Sequence, residues 1–239
     1  MAKPAADAMV VFDLDACCWY PEMYMVSECA PTHACVTACC LYSLLFTLYA
    51  CVTLHCRPDH LTCTCARAFS QLWGGGGPFK QDSTRPNNTL TDCKGTTVRL
   101  LADVAASWAE LHRRMQGGQS LLVGIASRSD EPTWARECLR KFYVAEGVTM
   151  MDVVTEERTE IYKGSKRDHF KALQKKTNIP YAKMCFFDDD MANIRDVSGI
   201  GVHCFYTPDG VTRALFEQGL KAVAGGKDNW EAFNGGAGT

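Results

Sequence analysis

The chain has 239 residues, of which 47% are apolar and 22% are charged, and its formal net charge is -2. This length and apolar content indicate a sizeable globular domain, and the near-neutral charge argues against the basic face of a nucleic-acid binder. The first residues lack the pattern of a cationic start followed by a long apolar run, so we expect no secretory signal and a cytoplasmic protein.

Apolar runs alternate with amphipathic stretches along the chain. The apolar runs predict buried strands at residues 9–12, 121–126, near 150–154, 184–187 and 201–205. Helical periodicity predicts helices at residues 98–116, 131–142, 165–177 and 210–222. Strands that alternate with helices indicate an α/β fold, a doubly wound parallel sheet with helices on both faces. The Gly-rich tail, residues 226–239, is predicted to be flexible.

Polar side chains directly follow three of these predicted strands. Asp13 and Asp15 follow the first, the sequence SRSD (127–130) follows the second, and DDD (188–190) follows residues 184–187. Lys163 and Lys166 lie on either side of a Gly-Ser turn at a predicted helix start. Ligands of open α/β sheets bind beyond the carboxyl ends of the strands, so we expect these groups to meet at one edge.

Clustered carboxylates repel each other, and a protein that keeps such an unfavourable arrangement is expected to use it for a function. A divalent cation would neutralise them, and hard oxygen ligands favour Mg²⁺. The metal and a lysine would together hold a phosphate dianion, which one aspartate could attack to form an acyl phosphate. The second aspartate of the pair could protonate the leaving oxygen and later activate water. The sequence therefore predicts phosphoryl transfer at this edge.

Six short motifs follow one another along the chain: VVFDLDACCW, WGGGGPF, GIASRSDEP, EIYKGSKRDHF, CFFDDDMANI and GIGVHCFYTPDG. In this order they resemble the haloacid-dehalogenase (HAD) superfamily of aspartate-nucleophile phosphohydrolases, and within it the magnesium-dependent phosphatase family. The resemblance implies one HAD-like phosphatase domain over residues 1–225, with a minimal cap and Mg²⁺ as cofactor. The implied substrates are aryl phosphates, including protein phosphotyrosine, or small sugar phosphates.

The resemblance also implies roles for the first aspartate pair and for a lysine. Asp13 is expected to be the nucleophile and a Mg²⁺ ligand. Asp15 is expected to be the general acid/base, with its backbone carbonyl on the metal. Lys166 is expected to offset charge on the nucleophile and the phosphate. Lys163 stands where the family often has proline, so two lysines remain candidates for the phosphate contact.

Further roles follow for the other strand ends. Ser127 is expected to bind a phosphoryl oxygen, with Arg128 as a substrate contact. Asp189 is expected to be a metal ligand with Asp188 in close support, and Asn193 to orient water at the metal.

Simpler structural roles compete with these functional ones. Ser127 or Asp130 could cap the following helix, and DDD could be a solvated acidic loop. Both lysines could be surface charges. Residues 73–79 could be a linker, although the flanking aromatic residues favour a loop at the substrate rim.

Residues 26–71 differ from the rest of the chain. They hold eight of the fourteen cysteines and four charged side chains, Glu28, Arg57, Asp59 and Arg67. Residues 36–56 carry no formal charge and meet the length of a membrane helix, but a span there would separate Asp13 from Ser127, Lys166 and Asp189. Residues 51–65 offer cysteine and histidine ligands for zinc at a spacing that matches no familiar finger. Removing residues 26–71 restores the family's spacing, which favours a translated, retained intron or a gene-model error.

The insertion also leaves two competing functions open. The fold could be a catalytically inactive phosphate-binding scaffold, because 46 extra residues could block or disrupt the site. It could instead be a membrane-tethered interaction protein. The cysteines outside the insertion, including Cys17 and Cys18 beside the aspartate pair, are predicted to be packing residues.

Overall fold

The computed structural model describes residues 6–23, 76–86 and 88–224. The predicted insertion at residues 26–71, with its membrane, zinc and intron hypotheses, lies outside the described residues. The tail at 226–239 lies outside them too. None of the helices in the described ranges combines the length and apolar content that crossing a bilayer requires.

The strands and helices are numbered in chain order within the described residues. The strands are β1 (Ala8–Phe12), β2 (Trp19–Tyr20), β3 (Lys80–Gln81), β4 (Thr89–Thr91), β5 (Thr97–Leu100), β6 (Leu121–Ser127), β7 (Tyr143–Ala145), β8 (Val148–Thr149), β9 (Thr159–Ile161), β10 (Met184–Asp188) and β11 (His203–Tyr206). The α-helices are α1 (Val104–Gln116), α2 (Pro132–Leu139), α3 (Met150–Val154), α4 (Lys166–Thr177), α5 (Met191–Ser198) and α6 (Arg213–Ala224).

The main sheet has five parallel strands in the order β11-β10-β1-β6-β9. The chain runs outward from β1 through β6 to β9, and then returns to the other side of β1 for β10 and β11. Connections therefore leave the carboxyl ends of β1 and β10 toward opposite sides, which opens a crevice at this switch point. The register pairs Phe12 of β1 with Phe187 of β10, so the residues that follow both strands meet at that crevice.

Alternate side chains of the strands are buried on opposite faces of the sheet. Val10 and Phe12 pack into a core closed by α1, α3 and α6, with Trp108 and Phe216 among its largest members. The other face, with Met9, packs against α4 and α5. Burial on both faces explains why β1 and β10 are continuous apolar runs. The predicted doubly wound α/β fold is confirmed.

A smaller antiparallel sheet, in the order β2-β5-β4-β3, follows the first strand. Its buried side chains Trp19, Leu90 and Val98 join the core on the α1 face. Residues 76–79 of the predicted rim loop pack on α2. There Phe79 is fully buried, and its backbone N–H donates to Glu137 Oε1 at 2.9 Å.

Two sequence predictions of elements were wrong. The apolar run at 150–154 is helix α3 rather than a strand, because Thr149 and Asp152 form a capping box that starts a helix there. The sheet takes β9 at its edge instead. Residues 97–100 form strand β5, so the helix predicted from residue 98 begins at Val104.

Candidate active site

The ends of β1 and β10 bring three carboxyl groups together. Asp13 continues the β1 ladder, since its backbone N–H donates to Phe187 O at 2.9 Å. Oxygen atoms of Asp13, Asp188 and Asp189 all lie within 4.8 Å of one another. Asp13 and Asp188 are buried, with 7% and 0% of their surface exposed, and Asp189 is half-buried.

Lys166 lies beneath this cluster and is almost completely buried, at 1% exposure. It is the first residue of α4, and its Nζ lies 2.8 Å from Asp13 Oδ1 and 2.9 Å from Asp188 Oδ2. The same ammonium donates to Ala126 O at 2.6 Å. Lys163 is 75% exposed and lies 3.1 Å from Asp130. Of the two candidate lysines, the structure therefore brings Lys166 to the aspartates and leaves Lys163 at the surface.

Burial and mutual repulsion dominate the electrostatics of the carboxyl groups. Burial, followed by repulsion from Asp13, raises the pKa of Asp188 to about 6 and that of Asp189 to about 7. Burial alone would lower the pKa of Lys166, but the Asp13 and Asp188 carboxylates outweigh it and raise that pKa. The single ammonium of Lys166 offsets only one of the possible negative charges of the three carboxyl groups. Their oxygen atoms are hard ligands of the kind that Mg²⁺ prefers. These residues fit a divalent cation.

The DDD sequence gives each aspartate a different position. Asp188 Oδ1 accepts from Asp190 N at 2.7 Å and from Asn193 Nδ2 at 3.1 Å, while Oδ2 faces Lys166. Asp189 lines the cleft. Asp190 is the N-cap of α5, where its side chain accepts from Ala192 N at 2.8 Å. The alternative prediction that DDD is a solvated acidic loop is therefore wrong for Asp188, which is fully buried.

Asp15 lies in the same cleft and is held through one oxygen. Asp15 Oδ1 accepts from Trp19 Nε1 at 2.8 Å and from Met23 N at 3.1 Å. The Ser129 hydroxyl also hydrogen-bonds to this carboxyl group. Burial, followed by repulsion from Asp13, raises the pKa of Asp15 to about 7 in spite of these donors.

The end of β6 forms the opposite wall of the cleft. Ser127 is buried, and its Oγ accepts from Ser129 N at 3.3 Å. Helix α2 begins at Pro132 with Glu131 at the N-cap, so the alternative of Ser127 or Asp130 as the cap is wrong. Arg128 is exposed, and its Nη1 donates to Asn193 Oδ1 at 3.3 Å.

The resulting cleft has a volume of about 260 Å³. It is lined by Asp13, Asp15, Glu22, Ser127, Arg128, Ser129, Asp130, Asp189, Asp190 and Asn193. Six of the eight predicted site residues line the cleft, and the other two, Lys166 and Asp188, form an ion pair beneath it. The structure thus brings all of them together.

The sequence reasoning missed three residues that support this site. Trp19 and Ser129 bond to Asp15, and His169 of α4 places Nε2 2.9 Å from Ser127 O and 3.0 Å from Tyr162 O. Ser129 lies in SRSD, Trp19 ends VVFDLDACCW and His169 lies in EIYKGSKRDHF, so their places in these motifs were the available signal. The sequence did not show which groups their side chains contact.

Fold and site together define a class: doubly wound α/β proteins with an acidic cleft, and a buried lysine beneath it, at the carboxyl edge of the sheet. Within that class, the chain belongs to the Acid Phosphatase family, whose model matches residues 63–225. The match begins after β1, so Asp13 and Asp15 lie outside it. The family membership confirms the phosphatase resemblance drawn from the motifs.

The curated proteins that are similar to this chain include a human and a yeast protein. Magnesium-dependent phosphatase 1 of Homo sapiens is 37% identical over 149 residues, 62% of this chain and 74% of the human protein. A HAD-like hydrolase superfamily protein of Schizosaccharomyces pombe is 31% identical over 126 residues, 52% of this chain and 69% of the yeast protein. Among solved structures, a haloacid dehalogenase-like family hydrolase from Xanthomonas campestris aligns at 13% identity with a TM-score of 0.44, covering 92% of this chain and 96% of that chain.

Proposed function

We propose that this chain is a Mg²⁺-dependent phosphomonoester hydrolase that acts through an aspartyl-phosphate on Asp13. The observation that carries the proposal is the meeting of Asp13, Asp188 and Asp189 within 4.8 Å above the buried ammonium of Lys166. Three carboxylates and one lysine at a sheet edge are suited to a cation and a phosphoryl group together. Membership of a phosphatase family and the similarity to human Magnesium-dependent phosphatase 1 support the same function.

The cation would be held by Asp13 and Asp189, together with the Asp15 backbone carbonyl. Asp188 supports them, because both of its oxygens already face donors from Lys166, Asn193 or Asp190. When bound, Mg²⁺ would neutralise the carboxylates and stabilise charge on the phosphoryl oxygens. Asn193 hydrogen-bonds to both Asp188 and Arg128. It would therefore hold Arg128, the proposed substrate contact, in a fixed position relative to the metal ligands.

The chain's own residues would carry out the transfer in two steps. A carboxylate oxygen of Asp13 attacks phosphorus, and the bond to the leaving oxygen breaks while Asp15 supplies its proton. Asp15 then takes a proton from water, whose oxygen attacks phosphorus and releases phosphate from Asp13. Lys166 holds Asp13 in place by the 2.8 Å contact, Ser127 would bind a phosphoryl oxygen, and Arg128 would contact the substrate.

The substrates we propose are aryl phosphates, including phosphotyrosine, or small sugar phosphates. The cleft of about 260 Å³ accommodates a phosphoryl group with a small part of its leaving group. Arg128 is exposed at the wall of the cleft, where a guanidinium group can contact an aromatic leaving group. A panel of phosphotyrosine peptides and hexose phosphates separates the two classes by kcat/KM.

The activity is tested with the full chain and 4-nitrophenyl phosphate. We expect hydrolysis that is abolished by EDTA, is restored by Mg²⁺ and falls by at least about 10³-fold in Asp13→Asn. Asp168→Asn is the matched control, because Asp168 is exposed on α4 and pairs with Lys171. Acid quenching during turnover should trap a hydroxylamine-sensitive phosphoprotein in the wild type but not in Asp13→Asn. Activity that survives Asp13→Asn would contradict the proposed nucleophile.

Metal binding has a readout that does not depend on turnover. A cation that binds the folded state at about 100 times its Kd stabilises it by about 2.7 kcal/mol, which corresponds to a rise in Tm of several degrees. We expect this rise with Mg²⁺ in the wild type and in Asp168→Asn, and its loss in Asp189→Asn. An equal rise in all three proteins would show that the cation binds elsewhere.

A further inference from the structure

A buried tryptophan bonds the proposed acid/base. Trp19 is fully buried, and its ring stacks on Phe142 with centroids 5.9 Å apart. Its Nε1 donates to Asp15 Oδ1 at 2.8 Å, and the backbone N–H of Met23 donates to the same oxygen at 3.1 Å. A β-bridge between Asp15 and Trp19 closes the intervening turn, in which Ala16 has φ 59°. The indole therefore meets the carboxyl group through a closed local loop.

These two donors make the oxygens of Asp15 unequal. A carboxylate oxygen has two lone pairs, and on Oδ1 both are directed at N–H donors. A proton on Oδ1 would face those donors and displace at least one of them. Oδ2, which neither of these two N–H groups contacts, is therefore the oxygen through which Asp15 would transfer a proton.

We propose that Trp19 is a positioning residue that directs proton transfer through Oδ2 of Asp15. This inference rests on the proposed function. As the Asp13–phosphorus bond forms, the bond from phosphorus to the leaving oxygen breaks, and that oxygen keeps the electron pair and takes the proton from Oδ2. Without the indole N–H, only the Met23 N–H and the Ser129 hydroxyl still hold the carboxyl group, and Oδ2 is directed less firmly toward the leaving oxygen.

A second buried tryptophan shows that such a bond is not a general requirement of packing here. Trp108 of α1 is also fully buried, and its ring centroid lies 5.1 Å from that of Phe12. Within the described residues, its Nε1 has no hydrogen-bond partner. Trp19 and Trp108 are thus equally buried, but only the indole N–H of Trp19 donates a hydrogen bond within the described residues. Trp108→Phe is therefore the matched control for Trp19→Phe.

The test compares leaving groups of different basicity. The kcat/KM value reports the steps up to phosphoryl transfer to Asp13, where the acid acts. A general acid contributes most when the leaving oxygen is basic, as in phenyl phosphate, and least for 4-nitrophenyl phosphate. We expect Trp19→Phe to lower kcat/KM by about tenfold or more for phenyl phosphate and by less than about threefold for 4-nitrophenyl phosphate. Trp108→Phe should give the same ratio of the two substrates as the wild type.

The outcomes separate this inference from the proposed function. The role of Trp19 alone is overturned if Trp19→Phe lowers kcat/KM equally for both substrates, or for neither, while Asp13→Asn still inactivates the enzyme. A wild type without Mg²⁺-dependent hydrolysis overturns both proposals.

A measurement on the indole itself does not require Trp19→Phe to fold. The ¹H–¹⁵N resonance of the Trp19 indole should move in Asp15→Ala, which removes the acceptor, while the Trp108 resonance stays in place. A Trp19 resonance that stays unmoved overturns the inference.

Discussion

At the residue scale, the least expected side chain in the core is the ammonium of Lys166, at 1% exposure between two carboxylates. Removing one partner of a buried ion pair leaves uncompensated charge and costs about 3–5 kcal/mol. We expect Lys166→Met to lower kcat/KM at least about 100-fold, because Asp13 loses the group that orients it. Chemical unfolding in EDTA should also show a lower free energy of unfolding.

Lys163→Met is the matched control, since it removes the other candidate lysine. Its pair with Asp130 is 75% and 49% exposed, and exposed pairs contribute about 0–1 kcal/mol. We expect kcat/KM within about threefold of the wild type, because the ammonium is at the surface. The reverse result, a large loss in Lys163→Met and a small one in Lys166→Met, would reassign the phosphate contact.

Residues that follow a buried strand were predictable, and residues that act through a hydrogen bond were not. Asp13, Ser127 and Asp188 each stand at the carboxyl end of an apolar run, so strand polarity alone places them at one edge. The role of Trp19 depends on a turn that brings its Nε1 to Asp15, and no periodicity encodes that turn. The sequence alone also left the choice between the lysines open, because it does not show that Lys166 is buried beside Asp13 and Asp188 while Lys163 is exposed.

At the scale of elements, helix α6 approaches β10 through Gly219. A Cβ atom on Gly219 would lie 2.6 Å from the Phe187 ring and 3.3 Å from Cys185 Sγ. Phe187 stacks on both Phe12 and Phe205, so it has little room to move. Overpacking costs about 1–3 kcal/mol, and alanine gains about 1 kcal/mol over glycine in a helix.

We therefore expect Gly219→Ala to lower the free energy of unfolding by about 1 kcal/mol, measured in urea. Gln218→Ala, an exposed change on the same helix, should stay within about 0.5 kcal/mol of the wild type. A more stable Gly219→Ala protein would show that the helix can move away from the sheet.

Element predictions failed where local hydrogen bonding competed with apolar pattern. Residues 150–154 are apolar enough for a strand, but the reciprocal bonds of Thr149 and Asp152 start a helix instead. Residues 97–100 alternate exposed and buried positions, a two-residue period that the helical pattern of the following α1 concealed. Long buried strands and long amphipathic helices were predictable, because burial on one or two faces sets their periods.

At the scale of the whole molecule, the described lining of the cleft comes from residues 13–22, 127–130 and 189–193, which flank residues 26–71 in the chain. Stability depends only weakly on the length of a connection, by about 0.6 kcal/mol for each doubling. Contacts among described residues hold Asp15, Lys166 and Asp188 in place.

We therefore expect a variant that joins Met25 to Leu72 to fold and to keep kcat/KM within about threefold of the full chain, since connection length contributes little. Circular dichroism melting and the 4-nitrophenyl phosphate assay, run side by side on both proteins, check this. A folded but inactive deletion variant would show that the insertion contributes to the site. An active deletion variant beside an inactive full chain would favour the blocked scaffold, because the same aspartates would then be competent only when the insertion is removed.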